Sequence, residues 1–163
     1  MTLAIYSGSF DPPTLGHLDI IRRSLKIFDS LIIAIGVNHE KRSMFSGTER
    51  EQLLAGAIAD DDELASLSSR IQIIQTDKLL AEFANEQQAN AIIRGARSVG
   101  EFEAENTMAL LNLQLTGIET VLIPANPALS YISSSRIKEI AAFGGDISPF
   151  VPPSVADAIA AKS

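Results

Sequence analysis

Apolar positions along the chain follow two alternating periods. LAIYS (3–7), LIIAIGV (31–37), RIQIIQT (70–76), NAIIRG (90–95) and ETVLIP (119–124) are short, nearly continuous apolar runs of strand length. LIIAIGV has the make-up of a strand buried on both faces of a parallel sheet. Between these runs the spacing becomes helical. Leu18, Ile21, Leu25 and Phe28 predict a helix over 14–28, and further helices are predicted over 47–59, over LLAEFANEQQ, and from about Glu101 to Thr116, ended by Gly117. SSSRIKEIAAF predicts another that ends at Gly144 and Gly145, and Pro152 and Pro153 open a last short one. The acidic run Asp60 to Glu63 and the Ser-rich piece up to Ser69 read as a solvated connection. Strands alternating with helices predict an α/β class fold, a doubly wound five-stranded parallel sheet in one domain. Ligands of such sheets sit at the carboxyl ends of the strands.

Composition narrows the chemistry. A chain of 163 residues with 46% hydrophobic and 20% charged residues has the balance of a folded domain rather than a disordered one. With no Cys, disulfides, thiolate metal sites and cysteine nucleophiles are excluded, and two His make a structural zinc site a poor expectation. No run approaches the ~18 to 20 apolar residues of a membrane span, and MTLAIYSGSF lacks a basic leader, so a cytoplasmic protein without a membrane partner is expected. The net charge of −7 argues against nucleic acid as a partner. An anionic ligand must then be held by cations gathered locally.

Four segments gather such groups. In Gly8-Ser9-Phe10-Asp11-Pro12-Pro13-Thr14-Leu15-Gly16-His17, Gly8 permits a turn, Ser9 offers a hydroxyl, Thr14 can cap the following helix, and His17 falls on the same face as Thr14. Taken alone, His17 is an ordinary capping or packing histidine. With its neighbours it makes a donor-lined phosphate pocket at a helix N-terminus, matching neither the P-loop nor the dinucleotide fingerprint. Ser133-Ser134-Ser135-Arg136 opens a helix; one Ser can cap it, but Ser135 is followed three residues later by Lys138, so no capping box forms there and the other hydroxyls suit a polyphosphate. Arg94 and Arg97 flank Gly95 at a strand end, poised either to grip phosphate or to pair with Glu101, Glu103 or Glu105. Lys41 and Arg42 follow the second strand. Such residues suit phosphoryl or nucleotidyl transfer, with His17 and Lys41 as donors to the phosphate under attack.

GSFDPPTLGH resembles the Thr/His-x-Gly-His signature of the nucleotidyltransferase superfamily, and SYISSSRIKE is similar to its second signature. IIRGARSVGEFEAEN, MFSGTERE and GGDISPFVP extend the resemblance over nearly the whole chain to the bacterial phosphopantetheine adenylyltransferase family. The resemblance implies a Rossmann-like nucleotidyltransferase fold. It also implies AMP transfer from ATP to 4′-phosphopantetheine, giving dephospho-coenzyme A and pyrophosphate by direct in-line attack, with Mg²⁺ bound mainly through the ATP phosphates. Catalytic roles fall on His17 and Lys41, and acceptor contacts on Ser9, Lys41, Leu80 and Arg94. ATP contacts fall on Ser9, Phe10, His17, Gly95, Ala96, Arg97, Glu105, Leu129, Ser130, Tyr131, Ile132, Ser133, Ser134 and Ser135. A homo-oligomer, a hexamer, and feedback inhibition by coenzyme A are implied as well. Ser9, Ser43, Ala104, Leu129 and Arg136 depart from the family pattern, Ala104 standing where Tyr is usual. The other readings are an adenylyltransferase for nicotinamide or nicotinate mononucleotide and a non-catalytic nucleotide-binding regulator.

Overall fold

The computed structural model describes all 163 residues, Met1–Ser163. Five strands, β1 (Leu3–Gly8), β2 (Ser30–Gly36), β3 (Ile71–Thr76), β4 (Ala91–Ala96) and β5 (Glu119–Pro124), form one parallel sheet in the order β3-β2-β1-β4-β5. The chain winds outward through β2 and β3, then returns to lay β4 against the other side of β1. That reversal leaves a crevice beyond the carboxyl ends of β1 and β4, where neighbouring connections depart to opposite faces.

Side-chain alternation sorts the core. Tyr6, Ile33, Ile35 and Ile93 point to the face covered by α1 (Leu15–Ser24), α2 (Gly47–Ala59) and α3 (Asp62–Ser66), packing on Leu18, Ile21, Leu54 and Leu64. Ile5, Ile32, Ala34 and Ile92 point to the other face and pack on Phe83 and Ala84 of α4 (Leu80–Glu86). The long α5 (Val99–Thr116) runs beside α4. A third apolar cluster joins Phe45 to Ile137 of α6 (Ser134–Ala142) and to Val155 and Ile159 of α7 (Pro153–Lys162). No helix is long and apolar enough to cross a membrane.

Local chemistry sets the helix ends. Thr14, Ser46, Asp61, Ser98 and Ser133 each accept a first-turn N–H, and Gly117 ends α5 at φ 76°, where a side chain would be strained. The helix predicted over 14–28 stops at Ser24, because Arg70 donates to the carbonyls of Leu25 (2.7 Å), Phe28 (2.8 Å) and Asp29 (2.6 Å) and holds them out of the helical ladder. The expected solvated connection at Asp60 to Ser69 is corrected in part. Asp61 caps α3 and pairs with Arg22, Glu63 reaches the same guanidinium at 2.9 Å, and Leu64 is fully buried. Asp61 and Glu63 thus pin a short helix to α1 over the buried Leu64, while Asp60, Asp62, Ser66, Ser68 and Ser69 stand in water as expected.

Candidate active site

A cleft of about 370 Å³ opens at the switch between β1 and β4. One wall is the β1–α1 turn with Gly8, Ser9, Thr14 and His17. A second is the end of β4 with Arg94, Gly95, Ala96 and Arg97, and a third is Leu129, Ile132 and Ser133 to Ser135 at the start of α6. Glu101 and Glu105 reach in from α5.

His17 is fixed by a capping box in which it takes the place usually held by Glu or Gln. The Thr14 N–H donates to His17 Nδ1 at 3.0 Å, and the His17 N–H returns to Thr14 Oγ1 at 3.4 Å. A nitrogen that accepts must be bare, so the ring proton lies on Nε2. Burial of the ring and the nearby Arg97 guanidinium pull its pKa down to about 4. At neutral pH His17 is therefore an uncharged donor. Phe10, at φ 48° and only 1% exposed, packs its ring 4.9 Å from the imidazole. The Phe10 ring is thus spent in the core, propping His17, and does not line the cleft.

Both cleft arginines carry carboxylate partners. Arg94 donates to Glu105 through Nε (2.9 Å) and Nη2 (2.8 Å) and to Ser7 through Nη1. Burial works against its charge, but the Glu105 carboxylate outweighs that cost and holds the guanidinium firmly protonated. Arg97 pairs with Glu101 at 2.6 Å and donates to the Ile132 carbonyl at 2.9 Å, tying the β4 end to the loop before α6. The salt bridges to Glu105 and Glu101 are made, and all four side chains still line the cleft.

At α6 the cap is Ser133, not Ser135, with its Oγ accepting the Arg136 N–H at 3.3 Å. Ser134 Oγ donates to the Pro12 carbonyl at 2.8 Å, so α6 is tied to the β1–α1 turn. Leu80 lines a second cavity of about 210 Å³ between α4 and α5, together with Leu79, Ala104, Met108, Asn112 and Thr120. Arg94 and Glu105 line both cavities, so their ion pair stands between the two. The Thr120 hydroxyl is buried there with no partner.

Three expected site residues fall elsewhere. Lys41 is exposed on a turn closed by its own N–H to the Asn38 carbonyl (3.2 Å), in a loop that does not line the cleft. Tyr131 is 66% exposed and stacks edge-on with Phe150, and the Ser130 hydroxyl turns to the Pro127 carbonyl. Neither lines the cleft.

Sequence reasoning also passed over Asp11 and Arg50. Arg50 is 3% exposed, and its Nη1 donates to the carbonyls of Ser9 (2.7 Å) and Gly36 (3.0 Å), closing the ends of β1 and β2. The signal was a charged residue in helical register with Leu54, Ala57 and Ile58 on the apolar face of α2. Asp11 is 4% exposed and accepts the Met44 N–H (2.9 Å), the Phe45 N–H (2.8 Å) and the Lys138 ammonium (3.2 Å). Nowhere do three or more His or carboxylate side chains gather in a metal-binding cluster.

Residues 5–140 match the cytidylyltransferase-like family. The chain is 44% identical over 163 residues to the phosphopantetheine adenylyltransferase of Caldanaerobacter subterraneus subsp. tengcongensis, covering 99% of this chain and 98% of that one. It is 43% identical over 150 residues to that of Porphyromonas gingivalis, covering 92% and 94%. Among solved structures, Plasmodium falciparum nicotinic acid mononucleotide adenylyltransferase superposes with a TM-score of 0.68 at 16% identity, over 98% of this chain and 95% of that one, a likeness of fold alone. With identity above two-fifths sustained from end to end, and the shared signatures converging on one cleft, the chain belongs to the phosphopantetheine adenylyltransferase family.

Proposed function

We propose that the cleft transfers the adenylyl group of ATP to the phosphate of 4′-phosphopantetheine, forming dephospho-coenzyme A and releasing pyrophosphate. The observation that carries this reading is the placing of His17, Arg94 and the N-terminus of α6 on three walls of one cleft, with an apolar cavity on the far side of Arg94. The second cavity has the chemistry for a thin pantetheine arm: apolar walls from Leu79, Leu80 and Met108, with Asn112 and Thr120 to meet its amides.

An acceptor phosphate is already ionised at pH 7, so the attack needs no general base. One of its oxygens forms a bond to the α-phosphorus as the bond to the bridging oxygen of the β-phosphate breaks, and pyrophosphate leaves with that electron pair. No covalent enzyme intermediate is involved. Arg94 holds the acceptor phosphate, the Nε2–H of His17 meets charge building on the α-phosphate, and the hydroxyls and free N–H groups at the α6 N-terminus take the outer phosphates. Gly95, Ala96 and Leu129 border the space left for the nucleoside. Those donor groups suit phosphate oxygens rather than a cation, so Mg²⁺ would be held by the polyphosphate itself, and when bound it supplies charge neutralisation on the leaving group. Lys41 would join the acceptor only by swinging in from its exposed turn.

The assembly proposed is a homo-oligomer, a hexamer. In support, α5 leaves Phe102, Leu110, Leu111 and Leu115 about half exposed or more, apolar area on several sides of the helix that neighbouring copies would cover. Coenzyme A is proposed as an inhibitor because it shares the pantetheine arm, and the cytoplasm as the site of action.

Pyrophosphate release from ATP and Mg²⁺ tests the reading, with 4′-phosphopantetheine, nicotinamide mononucleotide, nicotinate mononucleotide and no acceptor run side by side. Release with phosphopantetheine alone is expected. Release with a mononucleotide alone would move the acceptor assignment, and silence throughout with ATP still bound would leave a nucleotide-binding regulator.

A further inference from the structure

Three separate segments come together beside the cleft, of which the first and the third line it. They are the β1–α1 turn with His17, the β2–α2 loop that ends at Met44 and Phe45, and the first turns of α6 with Ser133 to Ser135. One side chain touches all three. Asp11, inside the first segment, takes the Phe45 N–H on Oδ1 and the Met44 N–H on Oδ2, and its Oδ2 also takes the Lys138 ammonium from the second turn of α6. Ser134 Oγ on Pro12 is the only other side-chain hydrogen bond between the first segment and α6. The carboxylate does not line the cleft, and with 4% exposure it has no room for solvent.

We infer that Asp11 is a positioning residue for adenylyl transfer, its ion pair with Lys138 setting the distance between the His17 wall and the α6 wall. The inference rests on the proposed reaction. A buried carboxylate is tolerated only where its lone pairs are met, and here two amides and one ammonium meet them. Those partners come from elements that the chain separates by 33, 34 and 127 residues. Holding the walls apart by a fixed amount matters more to the reaction than to affinity. ATP can bind on one wall, but in-line attack needs the acceptor, the α-phosphate and the leaving group aligned across both, and a shift of about 1 Å costs on the order of a hundredfold in rate.

The test compares the full chain with Lys138→Met, Lys138→Arg, Asp11→Asn and the Asp11→Asn/Lys138→Met double variant. Lys138 is partly exposed, and thermal melting establishes that each variant is folded before rates are compared. Steady-state pyrophosphate release should show kcat falling on the order of tenfold or more in Lys138→Met, with either KM changed by less than about threefold. Lys138→Arg should recover most of the rate, and the double variant should be no slower than about threefold below Asp11→Asn. Unchanged kcat in Lys138→Met, a loss confined to KM, or additive losses in the double variant would each overturn the inference. Amide hydrogen exchange supplies a reading independent of turnover. Asp11→Asn should lose protection both at Met44 and Phe45 and along α6, and protection kept in α6 would overturn the tie. Should the unaltered chain turn over no acceptor at all, the proposed reaction falls, while the exchange result still decides what Asp11 holds together.

Discussion

Replacing His17 by Ala removes an uncharged donor, and the structure sets the size and pH range of the effect. The ring cannot act through Nδ1, which is occupied by the Thr14 N–H at 3.0 Å, so Nε2–H is the one group it offers to the α-phosphate. Loss of one preorganised donor to developing negative charge costs about 10²–10³ in kcat, some 2.7–4 kcal/mol. ATP in its ground state gains little from that donor, and its affinity should change by less than about fivefold. The same substitution strips Thr14 of half its capping box, worth about 1 kcal/mol, so the variant should melt roughly 2–4 °C lower. With a pKa of about 4, the ring is protonated in only about one molecule in a thousand at pH 7. His17 should therefore contribute no limb to the kcat profile between pH 6 and 8, its own limb lying near pH 4. Pyrophosphate release across that range, with ATP binding measured by calorimetry, checks each figure. A limb near pH 6.5 that vanishes in His17→Ala would show a cationic imidazole at work and refute the neutral-donor assignment, as would ATP affinity falling in step with kcat.

Other outcomes follow from the same geometry. Arg94→Ala should raise the KM for phosphopantetheine on the order of ten- to a hundredfold, from loss of charge-assisted bonds worth about 1.5–3 kcal/mol, with ATP affected less; an unmoved acceptor KM would remove Arg94 from that role. Leu64→Ala should destabilise by about 2–5 kcal/mol in urea titration, since the side chain is fully buried beneath the acidic run, and a loss under about 1 kcal/mol would mean that α3 is dispensable. Stability should also fall with acid in a defined window. The folded pKa of His17 is depressed, so the unfolded chain takes the proton first, and the contribution present above pH 6.5 is lost as pH drops to about 4. For a half-buried ring this amounts to at most about 3 kcal/mol. His17→Ala should flatten that part of the stability curve; an equally steep fall in the variant would assign it to the carboxylates instead.

The sheet was most legible at β2, a nearly pure run of Ile, Leu and Ala, because a strand buried on both faces has few other sequences to choose from. Helix starts were legible wherever a hydroxyl preceded an apolar period, as at Thr14. The site was legible as a set of segments, since Gly8 to His17, Arg94 to Arg97 and Ser133 to Ser135 each end at the edge where β1, β4 and α6 meet. What escaped were properties of the third dimension. Leu64 is a lone apolar residue among acids, and only the Arg22 pairings that bring α3 onto α1 reveal that it is core. Which of three consecutive serines caps a helix depends on where Pro12 lies, because Ser134 is claimed by its carbonyl and Ser133 is left to cap. Lys41 sits in a loop without period, whose direction no pattern encodes. Arg50 and Asp11 do their work through backbone amides and carbonyls, partners that a sequence does not display.

The carboxylates that face Arg94 and Arg97 decide what the cleft will ignore. Each guanidinium already holds two oxygens of a glutamate, so an arriving phosphate does not fill a vacant charge but bids against a resident one. A small monoanion offers no more than Glu105 or Glu101 already gives, and it brings fewer contacts. A ligand that also lays a tail along α5 or a polyphosphate on α6 outbids them through those additional contacts. Two acidic side chains thus serve as a threshold, keeping an otherwise attractive cationic crevice closed to the salts around it and open to molecules long enough to hold several walls at once.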